Sequence, residues 1–147
     1  MTDDLAAANV NRAYQLTASS ITIFTFLLFF LYPRFVSGDV DAWLFQATLI
    51  VMGVATFSFA FATFHYYGAS LGGRVNESAR TRYARNADRI WLLGCVLLFL
   101  VPSLILFTVR LQAVASTWFA LWLFYLLFVI RNFPRVQTVG TMNSQAE

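Results

Sequence analysis

Four apolar runs, separated by short polar segments, limit what this chain can fold into. Each run comes close to the roughly 20 residues that an α-helix needs to cross the hydrocarbon core of a bilayer. In addition, 59% of the 147 residues are hydrophobic and 12% are charged, which is outside the usual composition of a soluble domain. We therefore predict an all-α polytopic membrane protein that forms a single domain over residues 1–147. The four predicted spans are 16–32, 44–66, 90–109 and 111–130.

Helix-breaking residues indicate where the spans end. Pro33 and the following Gly38 predict the end of the first helix, and Gly68, Gly72 and Gly73 predict the end of the second. Only the neighbourhood of 110–116 separates the third and fourth runs, which predicts a tight hairpin of two helices. The expected arrangement is an antiparallel four-helix transmembrane bundle, followed by a flexible C-terminal tail at 135–147.

The distribution of arginine predicts the orientation in the membrane. All ten basic residues are Arg; eight lie in the first tail, the middle segment at 68–89 and the last tail, whereas Arg34 and Arg110 lie on the other side. The positive-inside rule therefore predicts that both termini and the Arg-rich loop at 68–89 are cytoplasmic, with the spans in the inner membrane of a bacterium. A basic excess in such an apolar chain favours the bilayer and its anionic headgroups as partners, and nucleic acid is not expected.

The second half of the Arg-rich loop has a helical pattern. No Pro or Gly occurs between Asn76 and Arg89, and Arg82, Arg85 and Arg89 have the spacing that puts side chains on one helical face. We therefore expect a short cytoplasmic extension of helix three. Its Arg face has two interpretations: a contact for lipid phosphate or a protein partner, or a solvated helix end that only enforces the topology.

The residues available for chemistry do not predict an enzyme. His65 is the only histidine, and Cys95 belongs to the middle of another span, so the ligands that a metal site needs are missing. All seven carboxylates lie outside the predicted spans, and no nucleophile lies beside a base. We expect no catalytic residue, no metal and no cofactor. His65 remains either an interfacial residue or a candidate pH sensor at the cytoplasmic end of helix two.

Polar side chains follow one face of helix one. Gln15, Ser19 and Thr22 lie on one stripe, and Thr25 continues it. Hydroxyl and amide groups of this kind are common where membrane helices contact each other. They are also suited to line a path for ions, and the sequence leaves both interpretations open.

Helix one also carries a likeness to a known family. Arg12 is followed four residues later by Leu16, Thr17 and Ala18, and His65 comes at the end of a later span. This pattern resembles the potassium channels of endosomes and lysosomes and their bacterial homologues, in which an Arg precedes a Phe-Ser-Asp motif. Arg12 and Thr17 fit that motif, whereas its Phe and Asp positions are Leu16 and Ala18 here.

The resemblance implies a particular pore face on helix one. In those channels an apolar residue five positions past the motif's Asp narrows the path, and that position is Ile23 here. The implied face also includes Ser20 and Leu27. It lies about 100° around the helix from the hydroxyl stripe through Thr22, so the two lines of evidence select different faces.

Two functions are consistent with these patterns. The first is an oligomeric cation channel, potassium-like in character, or a passive carrier, with helix one lining the path. It would be a homo-oligomer, because four short helices do not enclose a water-filled path alone. The second is a non-conducting accessory or scaffold subunit of a larger membrane complex, which packs beside its partners or presents the Arg-rich loop to them.

Overall fold

In a computed structural model the chain forms four α-helices joined by short connections. The backbone is described for residues 2–71 and 76–143, and the side chains for 7–71 and 76–132. The helices are α1 (Thr2–Val36), α2 (Ala42–Ser70), α3 (Glu77–Thr108) and α4 (Gln112–Asn143). Each contains a segment that is long and apolar enough to cross a membrane. The prediction of an all-helical chain with four long apolar helices is therefore confirmed, and these helices are compatible with a multi-pass membrane protein.

The helices extend beyond the predicted spans. α2 includes Gly68 and continues to Ser70, so the expectation that Gly68 helps to end this helix was wrong. α3 begins at Glu77, so the second half of the predicted Arg-rich loop is helical, and residues 72–75 lie outside the described part of the chain. The backbone of α4 is helical as far as Asn143 and therefore includes most of the predicted tail at 135–147. The side chains of that segment and residues 144–147 lie outside the described part.

Gly38, rather than Pro33, determines where α1 ends. The expectation that Pro33 ends the helix was wrong, because α1 includes Pro33 and continues to Val36. Gly38 has a left-handed φ of 79°, its N–H donates to the Phe35 carbonyl at 3.2 Å, and the Asp39 N–H donates to the Arg34 carbonyl at 2.9 Å. This pair of bonds is the Schellman motif, which glycine forms without steric cost. Proline is tolerated one turn earlier because it removes only one backbone donor there.

The same hydrogen-bond pattern ends α3, but without glycine. The Arg110 N–H donates to the Phe107 carbonyl at 3.0 Å, and the Leu111 N–H donates to the Leu106 carbonyl at 2.9 Å. The left-handed residue of this turn is Arg110, with φ 63°. A side chain in that conformation costs of order 1–3 kcal/mol that glycine would avoid.

The helices pack in chain order. α1 packs on α2, α2 on α3, and α3 on α4, whereas α1 and α3 touch only slightly. One core cluster lies toward the α1–α2 and α3–α4 turns, and a second lies toward the opposite end. The first is formed by Leu27, Leu31, Phe45, Met52 and Val101, and the second by Ala13, Ala62, Tyr66 and Ala87.

Gly94 sets the distance between α2 and α3. A Cβ atom at this position would lie 2.8 Å from a ring carbon of Phe59, which real Cβ atoms do not tolerate. The Phe59 side chain is fully buried and fills the space that the missing Cβ leaves. α2 and α3 therefore pack closely where the Phe59 ring of α2 lies against the Gly94 backbone of α3.

α4 is held by a narrow set of contacts with α3. The Ser103 hydroxyl donates to the Ala115 carbonyl at 3.0 Å, and the Trp122 Nε1–H donates to the Val96 carbonyl at 2.8 Å. The rings of Phe99 and Tyr125 pack with centroids 4.9 Å apart. Within the described residues α4 packs on no other helix, so most of its apolar surface faces outward.

Candidate functional site

α1 uses one of its two candidate faces to pack inside the chain. Ser20 is fully buried and Leu27 is 4% exposed, because both lie on the side of α1 that packs into the bundle. Thr22 is exposed, and Ile23 is 39% exposed. The four pore-lining candidates therefore do not share one open surface in the single chain.

The polar stripe of α1, which we define as Gln15, Ser19, Thr22 and Thr25, faces outward. The hydroxyls of Thr22 and Thr25 donate to the carbonyls one turn earlier, at 3.1 Å and 2.9 Å. In contrast, the Gln15 amide and the Ser19 hydroxyl have no hydrogen-bond partner within residues 7–71 and 76–132. Polar groups that a membrane helix turns outward without a partner are expected to meet another helix or water.

The outward face of α1 changes character halfway along the helix. Beyond Thr25 it continues with Phe26, Phe29 and Phe30, all of which are more than half exposed. The rings of Phe26 and Phe30 pack together with centroids 4.2 Å apart. Any path along this face would therefore be polar in one half and closed by phenylalanine in the other.

Ile23 belongs to an apolar groove rather than to the polar stripe. The groove lies between α1, α3 and α4 and has a volume of about 470 Å³. Ile23 lines it from α1, Leu98, Pro102 and Ile105 line it from α3, and Trp118 lines it from α4. The residue that the channel resemblance selects as a constriction thus faces hydrocarbon side chains of its own chain.

His65 is half-buried at the contact between α2 and α3. Its Nδ1–H donates to the Phe61 carbonyl at 2.9 Å, in the tautomer with hydrogen on Nδ1. Its ring meets the edge of Tyr83 in α3, with centroids 6.1 Å apart and an interplanar angle of 66°. Within the described residues no group of three or more His, Cys, Asp or Glu side chains could hold a metal ion. This geometry favours an interfacial packing role for His65.

Two hydrogen bonds join the end of α2 to the start of α3. The Tyr66 hydroxyl donates to Asp88 Oδ1 at 2.7 Å, and Arg80 Nε donates to the Ala69 carbonyl at 3.0 Å. Arg80 puts a cation at the carboxyl end of α2, where the helix dipole favours positive charge. Sequence reasoning missed both contacts, although an aromatic residue at a span end and an acid among arginines were the available signals.

The predicted Arg face is directed away from the helix contacts. Arg82, Arg85 and Arg89 are exposed, and they lie opposite the side of α3 on which Ala87 is fully buried. The predicted site residues therefore fall into separate places: the packed and outward faces of α1, the apolar groove, the His65 contact and the Arg face. A binding role for the Arg face requires a partner that approaches from outside the bundle.

We expect Tyr66→Phe to lower the stability of the α2–α3 contact by about 1 kcal/mol, because it removes a hydrogen bond to a charged carboxylate. The loss stays modest because Asp88 is exposed and water replaces the hydroxyl. Thermal unfolding in detergent measures the change. Tyr67→Phe is the control, since the neighbouring Tyr67 is exposed. Equal melting temperatures for the two variants would show that the Tyr66–Asp88 bond does not stabilise the fold.

Comparison with protein families, with curated proteins and with solved structures found no match to this chain. Its function is therefore inferred from its own residues.

Proposed function

We propose that this chain is a non-conducting subunit of an assembly in the bacterial inner membrane, and that the polar stripe of α1 contacts a neighbouring copy. The observation that carries the proposal is the outward position of Gln15 and Ser19, neither of which has a hydrogen-bond partner among the described residues. In a membrane bundle such groups are normally found between helices. A second copy supplies that contact and removes the free-energy cost of exposing these polar groups to lipid.

The proposed arrangement in the membrane is an antiparallel four-helix bundle with both termini in the cytoplasm. It is supported by the bonds that join the end of α2 to the start of α3, and by the Asp41 N–H bond to the Thr108 carbonyl at 3.4 Å at their other ends. The excess of Arg on the side of the proposed cytoplasmic segments supports the orientation.

The topology has a direct test. Reporters placed near Gly72 and after Glu147 are expected to report a cytoplasmic location, and a reporter near Gly38 is expected to report an external one. The reason is that the Arg-rich segments contain or adjoin the first two positions. A paired alkaline phosphatase and fluorescent protein fusion at each site measures this. If the Gly38 and Gly72 reporters lie on the same side, α2 does not cross the membrane and the four-span arrangement is excluded.

The Arg face supports an accessory role in a complex. Arg82, Arg85 and Arg89 are exposed in the part of α3 that we place in the cytoplasm. Each Arg adds about 1 kcal/mol of attraction to an anionic surface at most. The face is therefore suited to anionic headgroups or to an acidic segment of a partner protein.

A cation channel, potassium-like in character, is the second candidate. The observation that favours it is the outward position of Ser19, Thr22 and Thr25, whose oxygens would face the axis of an oligomer. The exposed Phe26 and Phe29 oppose it, because they would keep the outer half of the path dry. Potassium flux into proteoliposomes distinguishes the two functions: flux above that of empty vesicles establishes the channel, and its absence supports the non-conducting subunit.

The assembly itself is tested by replacing Gln15. We expect Gln15→Leu to weaken self-association roughly fivefold, because one interhelical hydrogen bond is worth about 1 kcal/mol in membranes. Asn132→Leu is the matched control, since the Asn132 amide already donates to the Phe128 carbonyl of its own helix at 2.8 Å. Single-molecule photobleaching in vesicles at several protein densities gives the dissociation constants. Equal values for both variants and the unmodified chain would exclude the polar stripe as the contact.

A further inference from the structure

The apolar groove between α1, α3 and α4 has the shape of a site for a hydrocarbon chain. The lining residues Ile23, Leu98, Pro102, Ile105 and Trp118 are all apolar or aromatic, and the groove is open on one side. Its lining residues belong to helical segments that are long and apolar enough to cross a membrane. Its volume of about 470 Å³ is within the range of pockets that hold small molecules.

The lining of the groove is suited to a lipid chain. Its α3 wall extends from Leu98 to Leu106, which is about 12 Å at 1.5 Å per residue. An acyl chain is apolar along its whole length and therefore matches a wall without polar side chains.

A cation lies beyond one end of the groove. Arg110 follows Leu106 by four residues and lies in the α3–α4 turn, where its N–H donates to the Phe107 carbonyl at 3.0 Å. Its side chain is exposed, and it occupies the left-handed position of the α3–α4 turn where glycine would be free of strain. Asp41 caps the start of α2, where its Oδ1 accepts the Leu44 N–H at 2.9 Å. Arginine binds phosphate through two parallel hydrogen bonds.

We propose that this groove and Arg110 together form a phospholipid site, with one acyl chain between α1, α3 and α4 and the lipid phosphate on the Arg110 guanidinium. The lipid belongs to the leaflet on the side of the α3–α4 turn. It fills the space beside α4, which packs only on α3 within the described residues. The site does not depend on contact between copies through the polar stripe.

Native mass spectrometry of the purified chain tests the site with phosphatidylglycerol and, separately, with a diacylglycerol that has the same chains but no phosphate. We expect one phosphatidylglycerol retained per chain. Ile23→Trp and Ile105→Trp fill the groove from opposite walls and are each expected to reduce retention at least tenfold, because several methylene groups lose their contacts. Leu121→Trp is the control, since Leu121 is exposed on α4 and does not line the groove.

The phosphate contact is tested in the same experiment. Arg110→Gln is expected to weaken phosphatidylglycerol binding roughly fivefold and to leave diacylglycerol binding unchanged. Arg34→Gln, at the end of α1, is expected to change neither. The proposal is overturned if the groove-filling variants retain as much lipid as Leu121→Trp. It is also overturned if they change the oligomeric state but not lipid retention, because a second copy would then occupy the groove.

Discussion

Replacing Gly94 with Ala is expected to destabilise the fold by roughly 1–3 kcal/mol, because the added methyl group overlaps the Phe59 ring. The Phe59 side chain is fully buried, so it cannot rotate into open space to relieve the overlap. Unfolding of the purified protein in mixed micelles at increasing denaturing detergent measures the loss. The melting temperature should fall in parallel.

Gly53→Ala is the matched control for Gly94→Ala. Gly53 also lies inside a helix, α2, but a Cβ atom there meets nothing within 4 Å. Because alanine favours the helix by up to about 1 kcal/mol, this variant is expected to be as stable as the unmodified chain or more so. Phe59→Leu should restore part of the stability that Gly94→Ala loses. If Gly94→Ala and Gly53→Ala behave alike, α2 and α3 do not pack through this ring.

The second large effect concerns the attachment of α4. Combining Ser103→Ala with Trp122→Phe removes both side-chain hydrogen bonds that the described residues form between α3 and α4, and membrane hydrogen bonds contribute roughly 0.6–2 kcal/mol each. We expect α4 to separate from α3 in part of the molecules, because within the described residues it packs on no other helix. Spin labels on the exposed Leu93 and Leu123 should show a broader distance distribution.

The control for the α4 prediction makes the same two substitutions, Ser to Ala and Trp to Phe, at positions outside the α3–α4 contact. Ser116 donates only to the Gln112 carbonyl of its own helix, and Trp43 is 76% exposed at the start of α2. The combination of Ser116→Ala with Trp43→Phe is therefore expected to leave the distance distribution unchanged. An unchanged distribution in the Ser103→Ala and Trp122→Phe variant as well would mean that apolar packing alone holds α4.

The sequence was sufficient to predict four apolar helices and an exposed Arg face, because length, hydropathy and helical spacing are local properties. It was insufficient to predict which side of α1 packs inside. In water a helix buries its apolar face, but in lipid both faces are compatible with the surroundings, so periodicity does not identify the inner one. Ser20 therefore lies inside and Ser19 outside, although the residues are adjacent and identical.

The contacts between helices could not be predicted from the sequence either. The hydrogen bond from Tyr66 to Asp88 and the packing of Phe59 against Gly94 depend on the register of α2 against α3. No local sequence pattern determines that register. The end of α1 shows a different limit. Proline is a strong sign of helix termination, but here Gly38 provides the left-handed turn that closes the helix.

Cysteine cross-linking at Ser19 tests the proposed assembly most directly, with the adjacent Ser20 as control. In a Cys95→Ala background, Ser19→Cys in native-like vesicles is expected to form a disulfide between two copies under mild oxidation, because Ser19 lies on the outward stripe. Ser20→Cys is expected to remain monomeric on a denaturing gel, because Ser20 is fully buried within its own chain. Monomeric Ser19→Cys, or equal cross-linking at both positions, would contradict the assembly of this protein through the polar stripe of α1.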